Sequence, residues 1–166
     1  MKKSFRKSFK KKYEVLAKLC ATEEGVGDPF SYGRAKEIYM AIVLDHQISS
    51  TLLGADGYDE DGECEYKSTT GKRIKATYNG VMRQPTWEEQ LKYLQEVKLG
   101  KYENHYFARF DECGIVELWH MKKDTVLEIL VPKFEKQYPT RMNNKDPRLG
   151  ADLTTGDIRN YGVQLI

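Results

Sequence analysis

A mixed α/β (α+β) architecture, with a central sheet of mixed strand direction flanked by helices, is predicted by three features of the chain. Apolar residues recur at three- and four-residue intervals in several separate stretches, which is helical spacing. Short runs rich in β-branched and aromatic residues lie between those stretches. The two patterns alternate along the chain instead of segregating into halves. With 166 residues, 40% of them apolar and 31% charged, the composition is globular and large enough to bury a core. Neither an internal repeat nor a Pro/Gly/Ser-rich linker interrupts it. The expected organisation is therefore a basic arm and N-terminal helix over residues 1–30, a candidate dimerisation element, followed by one functional domain over 31–166.

A first helix is expected over residues 9–22, where Phe9, Tyr13, Leu16 and Cys20 share a face, with Gly25, Gly27 and Pro29 ending it. A second runs from about residue 33 to 47, with Ser31 as its cap and Ile38, Ala41, Ile42 and Leu44 inward. Two extendable runs, 51–58 and 63–68, flank Asp59-Glu60-Asp61-Gly62, and Asp-Gly between such runs is a hairpin signal. Residues 69–83 read as a polar, Lys/Arg-rich tract. Thr86-Trp87-Glu88-Glu89 fits a capping box that opens a third helix, and Gly100 supplies its stop. Residues 102–110 and 115–121 read as strands. A helix from about Asp124 is expected to kink or end at Pro132. The tail reads as a loop to Asp152, with a short strand within 161–166.

The net charge of +2 conceals an asymmetry. Lys2, Lys3, Arg6, Lys7, Lys10, Lys11 and Lys12 crowd the first twelve residues without an acid, leaving 20 basic against 25 acidic groups in the remainder. A basic arm on an acidic body fits contact with a polyanion or a solvated terminus, and charge alone leaves both open. Cys20, Cys64 and Cys113 are far apart with no Cys-x-x-Cys, which fits free thiols in a reducing, cytoplasmic compartment better than disulfides or zinc. No apolar run approaches a membrane span, and no apolar stretch of a secretory signal follows the basic start. His46, His105 and His120 lack metalloprotease spacing, and phosphate-loop, nucleophile-elbow and dinucleotide motifs are absent. The histidines read as structural or surface residues, and Trp87 and Trp119 as core anchors.

The chemistry concentrates in residues 54–68. Six acids lie from Asp56 to Glu65. On a strand, Glu65 and Lys67 point to one face, roughly 6.8 Å apart along it, and a hairpin turn folds Asp56 back beside them. Two carboxylates and an ammonium at a sheet end suit Mg²⁺, whose other ligands are water and substrate phosphate. A solvated acidic turn is the competing reading. A second Glu-x-Lys, Glu96-Val97-Lys98, falls in the expected third helix, where positions i and i+2 diverge. A calcium loop is excluded, because aligning Gly62 with its invariant glycine leaves Gly57 and Ser68 at the end positions. Downstream, Lys72, Arg73, Lys75 and Arg83 occur without an acid, interleaved with Thr77, Tyr78 and Asn79, a pattern suited to phosphate and base edges.

These residues resemble the PD-(D/E)XK nuclease superfamily, and in particular the PvuII-type type II restriction endonucleases. The run Gly54-Ala55-Asp56 … Glu65-Tyr66-Lys67-Ser68 is similar to that family's metal-binding aspartate and the Glu-x-Lys strand after it. Gly33-Arg34-Ala35-Lys36, Ile115-Val116-Glu117, Met142-Asn143-Asn144-Lys145 and Ile158-Arg159-Asn160-Tyr161-Gly162-Val163 extend the likeness over most of residues 28–166. The resemblance implies a restriction-endonuclease-like mixed sheet and Mg²⁺ held by Asp56, Glu65 and the Tyr66 carbonyl. It gives Asp56, Glu65 and Lys67 the catalytic roles, with Lys67 positioning or activating water. It adds Asn143, Asn144 and Lys145 to the DNA contacts and implies a homodimer on double-stranded DNA. The first helix would join the copies, although its apolar stripe fits local core packing equally. Leu53 stands where the family carries a glutamate, so another acid such as Glu37 would serve any second metal. Thr77-Tyr78-Asn79-Gly80 replaces the family's base-reading histidines, which implies a different recognition site. The alternatives are a junction or repair nuclease of the same superfamily and a non-catalytic DNA-binding protein.

Overall fold

The structure, a computed structural model, describes residues 1–51, 54–142 and 144–166. Its helices and its parallel and antiparallel strand pairs make a mixed α+β fold. The chain divides into two compact units, Met1–Tyr58 and Asp59–Ile166. Among the described residues no helix is long and apolar enough to cross a membrane, and all three cysteines are free thiols.

The first unit holds helices α1 (Lys3–Thr22) and α2 (Arg34–Leu44) and strand β1 (Gln47–Ile48). Strand β2 (Gly57–Asp59) starts in this unit and pairs antiparallel with β1, Tyr58 opposite Gln47. Helix α1 begins six residues earlier than its apolar spacing predicts, so most of the basic arm is helical. Of the expected apolar face only Cys20 is buried, while Phe9, Tyr13 and Leu16 remain exposed. Phe5, Phe9 and Tyr13 instead form an external ladder of rings, which continues to Phe30 with a centroid separation of 4.0 Å. Within its own unit the stripe is thus covered only in part, by the burial of Cys20 and the stacking of Tyr13 on Phe30.

Helix α2 differs from expectation at both ends. Gly33 is the N-cap, and Ser31 is not a cap but donates its hydroxyl hydrogen to Asp28. Asp45 ends the helix in the left-handed region, at φ +58°. Its inward residues are Arg34, Met40 and Ala41, whereas Ile42 is 70% exposed. The buried Arg34 head supplies the reason. Its Nε donates to the Val26 carbonyl (2.8 Å), and its Nη2 donates to the carbonyls of Gly25 (3.0 Å) and Ser49. A guanidinium can be buried only with such partners, and seating it fixes which face of α2 turns inward.

The second unit is built on β3 (Gly62–Thr69), β5 (Asn104–Phe110), β6 (Ile115–Lys122) and β8 (Val163–Gln164), adjacent in that order. Strands β3 and β5 are parallel, and the other two pairs are antiparallel. The turn ahead of β3 sits at Glu60-Asp61, where the Asp61 N–H bonds to Asp59 Oδ1. Between β3 and β5 lie β4 (Ala76–Val81), α3 (Trp87–Tyr93) and a π-helical turn, Leu94–Lys98. After β6 come α4 (Lys123–Gln137), a 3₁₀ turn over Tyr138–Arg141, β7 (Leu149–Leu153) and α5 (Thr155–Tyr161).

Several local signals act as the sequence predicts. The Thr86 hydroxyl accepts from the Glu89 N–H (3.2 Å), and the Glu89 carboxylate accepts from the Thr86 N–H (3.1 Å). Gly100 is required where the π turn ends, because a Cβ there would stand 2.0 Å from the Gln95 carbonyl oxygen. Pro132 does not end its helix, which runs on to Gln137. Leu130 and Phe134 on either side of it are fully buried, and that packing offsets the roughly 3 kcal/mol cost of an interior proline.

Three strands were not expected, the first being β1, which begins where the second helix was expected to end. The tract read as polar and Lys/Arg-rich contains β4, and the tail read as loop contains β7, paired antiparallel with it, Ala76 opposite Leu153. Ala76, Tyr78 and Val81 face inward, while Thr77 and Asn79 face out. Gly80, at φ +68°, lies where the register shifts and returns Val81 to the core. These inward residues join Phe107, Trp119 and Met121 from the larger sheet, and Val126, Leu130 and Phe134 from α4, in one apolar cluster. Trp119 is thus a core anchor, and Trp87 packs against the same cluster.

Candidate functional site

Register assigns the side chains of the larger sheet to two faces. Glu65 lies opposite His105 and Lys67 opposite Phe107, and β6 continues that face with Met121 and Trp119. Cys64, Tyr66, Asn104, Tyr106 and His120 belong to the other face.

On the first face, the Lys67 ammonium forms an ion pair with Glu65 Oε1, and its Nζ stands 3.4 Å from the Tyr66 carbonyl oxygen. Both side chains are partly accessible, 26% for Lys67 and 14% for Glu65. Alternation along β3 produces this neighbourhood, since positions i and i+2 share a face and the intervening carbonyl lies between them. A carboxylate and a carbonyl are hard oxygen donors of the kind Mg²⁺ takes, and the ammonium beside them is placed to hold a water or a phosphate oxygen. The second Glu-x-Lys does not form a pair. Glu96 and Lys98 are exposed on the π turn.

Asp56 belongs to the first unit. It is half-buried, and its main-chain carbonyl accepts a hydrogen bond from the Ser49 N–H (3.1 Å). Glu37, the substitute acid, pairs with the Arg34 guanidinium at 3.4 Å. Leu53 lies outside the described residues.

Tyr78 corrects an expectation. Read as a DNA contact beside Thr77 and Asn79, it points the other way and is only 6% exposed. Its ring lies beside Lys67, with Nζ 5.3 Å from the centroid, and its hydroxyl is 2.9 Å from His105 Nδ1. His105 Nε2 lies 3.0 Å from the Leu99 carbonyl, which can only accept, so Nε2 carries the proton. Nδ1 is then an acceptor, and the Tyr78 hydroxyl is the donor. Burial, more than any neighbouring group, pulls His105 down to about 4 and keeps it neutral.

The remaining basic candidates separate by exposure. Lys72, Arg73 and Lys75 are exposed around buried Ile74, and Thr77 and Asn79 are exposed on the outer side of β4. Arg83 is less accessible, with its guanidinium 4.2 Å from the Tyr138 ring centroid and no partner on Nε. Asn144 and Lys145 are exposed in the loop before β7, and Asn143 lies outside the described residues. A cleft of about 330 Å³ joins Asn79 and Gly80 to Arg141, Arg148 and Gly150. Sequence reasoning missed Arg141 and Arg148. The signal was their place on either side of the Asn-Asn tract in the sequence, and without β7 nothing brought Arg148 and Gly150 to Asn79. Arg148 grips Asp146 through two bonds, 2.9 and 2.8 Å, which hold the Asp146 carboxyl down at about 2.

The second face carries a different cluster. Asn104 Nδ2 donates to Asp59 Oδ2 (2.8 Å) and Asp61 Oδ2 (3.0 Å), and Tyr106 donates to Asp59 Oδ2 (3.0 Å). Lys122 holds Asp61 at 2.6 Å, and His120 Nε2 lies 2.8 Å from Asn104 Oδ1. The hydrogen bonds of Lys122 and then Asn104 keep the Asp61 carboxyl below its ordinary range.

No family model matches this chain, and no curated protein matches it either.

Proposed function

We propose that this protein is a Mg²⁺-dependent nuclease of PD-(D/E)XK type that hydrolyses phosphodiester bonds of duplex DNA at a specific short site, as a type II restriction endonuclease does. The observation that carries the reading is the pairing of Glu65 with Lys67 on one face of β3, with the Tyr66 carbonyl between them. The donor set fits the metal: a carboxylate and a carbonyl on β3, and the Asp56 carboxylate that the family resemblance adds.

Bound there, Mg²⁺ supplies positive charge for the oxyanion that develops on the leaving oxygen. The chain's own residues do the rest. Glu65 and the Tyr66 carbonyl would hold the cation, with Asp56 as the further ligand the family resemblance implies, and the Lys67 ammonium would orient the attacking water. Lys72, Arg73 and Lys75 neutralise the DNA backbone nearby, and Thr77, Asn79, Asn144 and Lys145 offer donors and acceptors to phosphates and base edges. A homodimer is part of the reading, because cutting both strands of a palindrome calls for two sites related by a two-fold axis. The exposed ring ladder on α1 supports it as the element that joins the copies.

The test is incubation of the full chain with a sequenced plasmid and Mg²⁺, followed by mapping of the ends. Discrete fragments with one defined sequence at their termini are expected. Lys67→Ala and Asp56→Ala should abolish cutting while the circular dichroism spectrum stays that of the parent. Cleavage confined to branched DNA would replace sequence recognition with structure recognition. Tight duplex binding with no cleavage in Mg²⁺ or Mn²⁺ would overturn the enzyme reading.

A further inference from the structure

We propose that the buried Tyr78–His105 pair is a positioning device for the Lys67 ammonium; the inference rests on the nuclease reading, which gives that ammonium its task. The chain of contacts starts at a fixed point. The Leu99 carbonyl, where the π turn gives way to Gly100, accepts from His105 Nε2. That bond dictates the tautomer, the tautomer makes Nδ1 an acceptor, and Nδ1 makes the Tyr78 hydroxyl a donor. The Tyr78 ring is thereby held from β4, from β5 and from the end of the π turn. Its face lies 5.3 Å from Lys67 Nζ, within the range where an aromatic face attracts a cation. Lys67 thus stands between the Glu65 carboxylate and the negative face of a ring whose plane is fixed.

Core filling alone does not explain this choice of residues. Tyr78 and His105 are both buried among apolar neighbours, 6% and 0% exposed, where Phe or Leu would occupy the space without two polar groups to satisfy. What the pair adds over an apolar filler is a defined ring orientation beside the Lys67 ammonium. A lysine has four rotatable bonds and a strongly hydrated head, so holding that head at one place needs opposing contacts. Tyr78 and His105 act through Lys67 in this scheme, so they are positioning residues and not catalytic ones.

The experiment compares the full-length parent with Tyr78→Phe, which keeps the ring face and loses the hydroxyl, and Tyr78→Leu, which loses both. Two readouts are taken on each. The first is the ε-methylene proton shift of Lys67, identified by its absence in Lys67→Arg. It should lie upfield of the solvent-exposed lysines in the parent, remain so in Tyr78→Phe, and move to the exposed position in Tyr78→Leu. The second is steady-state cleavage. Tyr78→Leu should lower kcat by roughly 5- to 30-fold with KM little changed, the range that the loss of a cation–ring contact gives, and Tyr78→Phe should fall between it and the parent. If Tyr78→Leu does not fold, Tyr78→Met fills the volume without a ring and takes its place. A Lys67 shift equal in parent and ring-less variant, or an unchanged kcat, overturns the proposal. A parent that never cuts DNA sinks the nuclease reading instead, and the Lys67 shift still decides whether the ring holds the ammonium.

Discussion

The two faces of the larger sheet carry polar clusters of opposite character. On one, Asp59, Asp61, Asn104, Tyr106, His120 and Lys122 bond across three strands and a turn, so each contact joins parts of the chain that are distant in sequence. On the other, Glu65 and Lys67 pair along a single strand, so that contact crosslinks nothing. A network that stitches strands together contributes to folding. A pair on adjacent same-face positions of one strand places two opposite charges together at little gain in stability. The difference in connectivity sets a structural network apart from the pair to which the proposed function assigns catalysis, even though the network holds more acids.

The largest expected effect is on the second cluster. Glu65→Gln keeps the side-chain shape and removes the charge. Cleavage should fall by about two orders of magnitude or more, as the loss of a metal-holding carboxylate entails. The urea midpoint should move by no more than about 1 kcal/mol, the range of a partly exposed ion pair. A stable, fully active Glu65→Gln protein would erase the distinction between the faces.

The next effect concerns acid. His105 is held near 4, well below the ordinary value of 6.5, so the folded state stays unprotonated over a range where the unfolded chain takes up a proton. Stability should therefore be complete above about pH 6.5 and decline as pH falls toward 4, by about 3 kcal/mol in all. The carboxylates held down by donors, Asp61, Glu117 and Asp157, withdraw their contribution lower, as pH passes through their own range. Urea midpoints at pH 7 and pH 4.5 check this, and His105→Asn should flatten the decline. An equal slope in parent and variant would show that His105 does not set it.

Asn104→Ala acts on the stitched face. Asn104 is 2% exposed and bonds two carboxylates and an imidazole. Its loss should cost about 1 to 2 kcal/mol, because the hydrogen bonds of a buried amide are lost while Asp61 stays open to water. Cleavage below the melting temperature should stay at the parent's level. A stable but inactive variant would move the functional site to this face.

Much of this contrast is legible in the sequence, and the reason is locality. Glu65-x-Lys67 share a face because of strand period, and the capping box of α3 and the strands β5 and β6 rest on residues close together in the chain. What stayed hidden depends on distant partners. Strand β4 becomes recognisable only against β7, because Thr77, Asn79 and Gly80 mask the inward alternation of Ala76, Tyr78 and Val81. Tyr78 read as a DNA contact for the same reason. Arg34 gave no sign that it would be buried, since the carbonyls that receive it come from Gly25, Val26 and Ser49. Nor does spacing reveal whether an apolar stripe is covered, and on α1 most of it is not.

The smallest effect tests how far the stitched network depends on charge. Lys122 holds Asp61 at 2.6 Å, the shortest ion pair of this face, and the pair raises the Lys122 ammonium above its ordinary value. Both side chains are largely solvated, 49% and 41% exposed, so water replaces most of what the partner supplies. Asn104 also bonds Asp61, and it stays in place when the lysine is cut back. Lys122→Ala should accordingly leave the urea midpoint within error at physiological salt while Asn104→Ala shifts it clearly. A double variant no less stable than Asn104→Ala alone would assign the network's contribution to its buried amide and not to its charges. A Lys122→Ala loss as large as that of Asn104→Ala would reverse that ranking and make this face an electrostatic device after all.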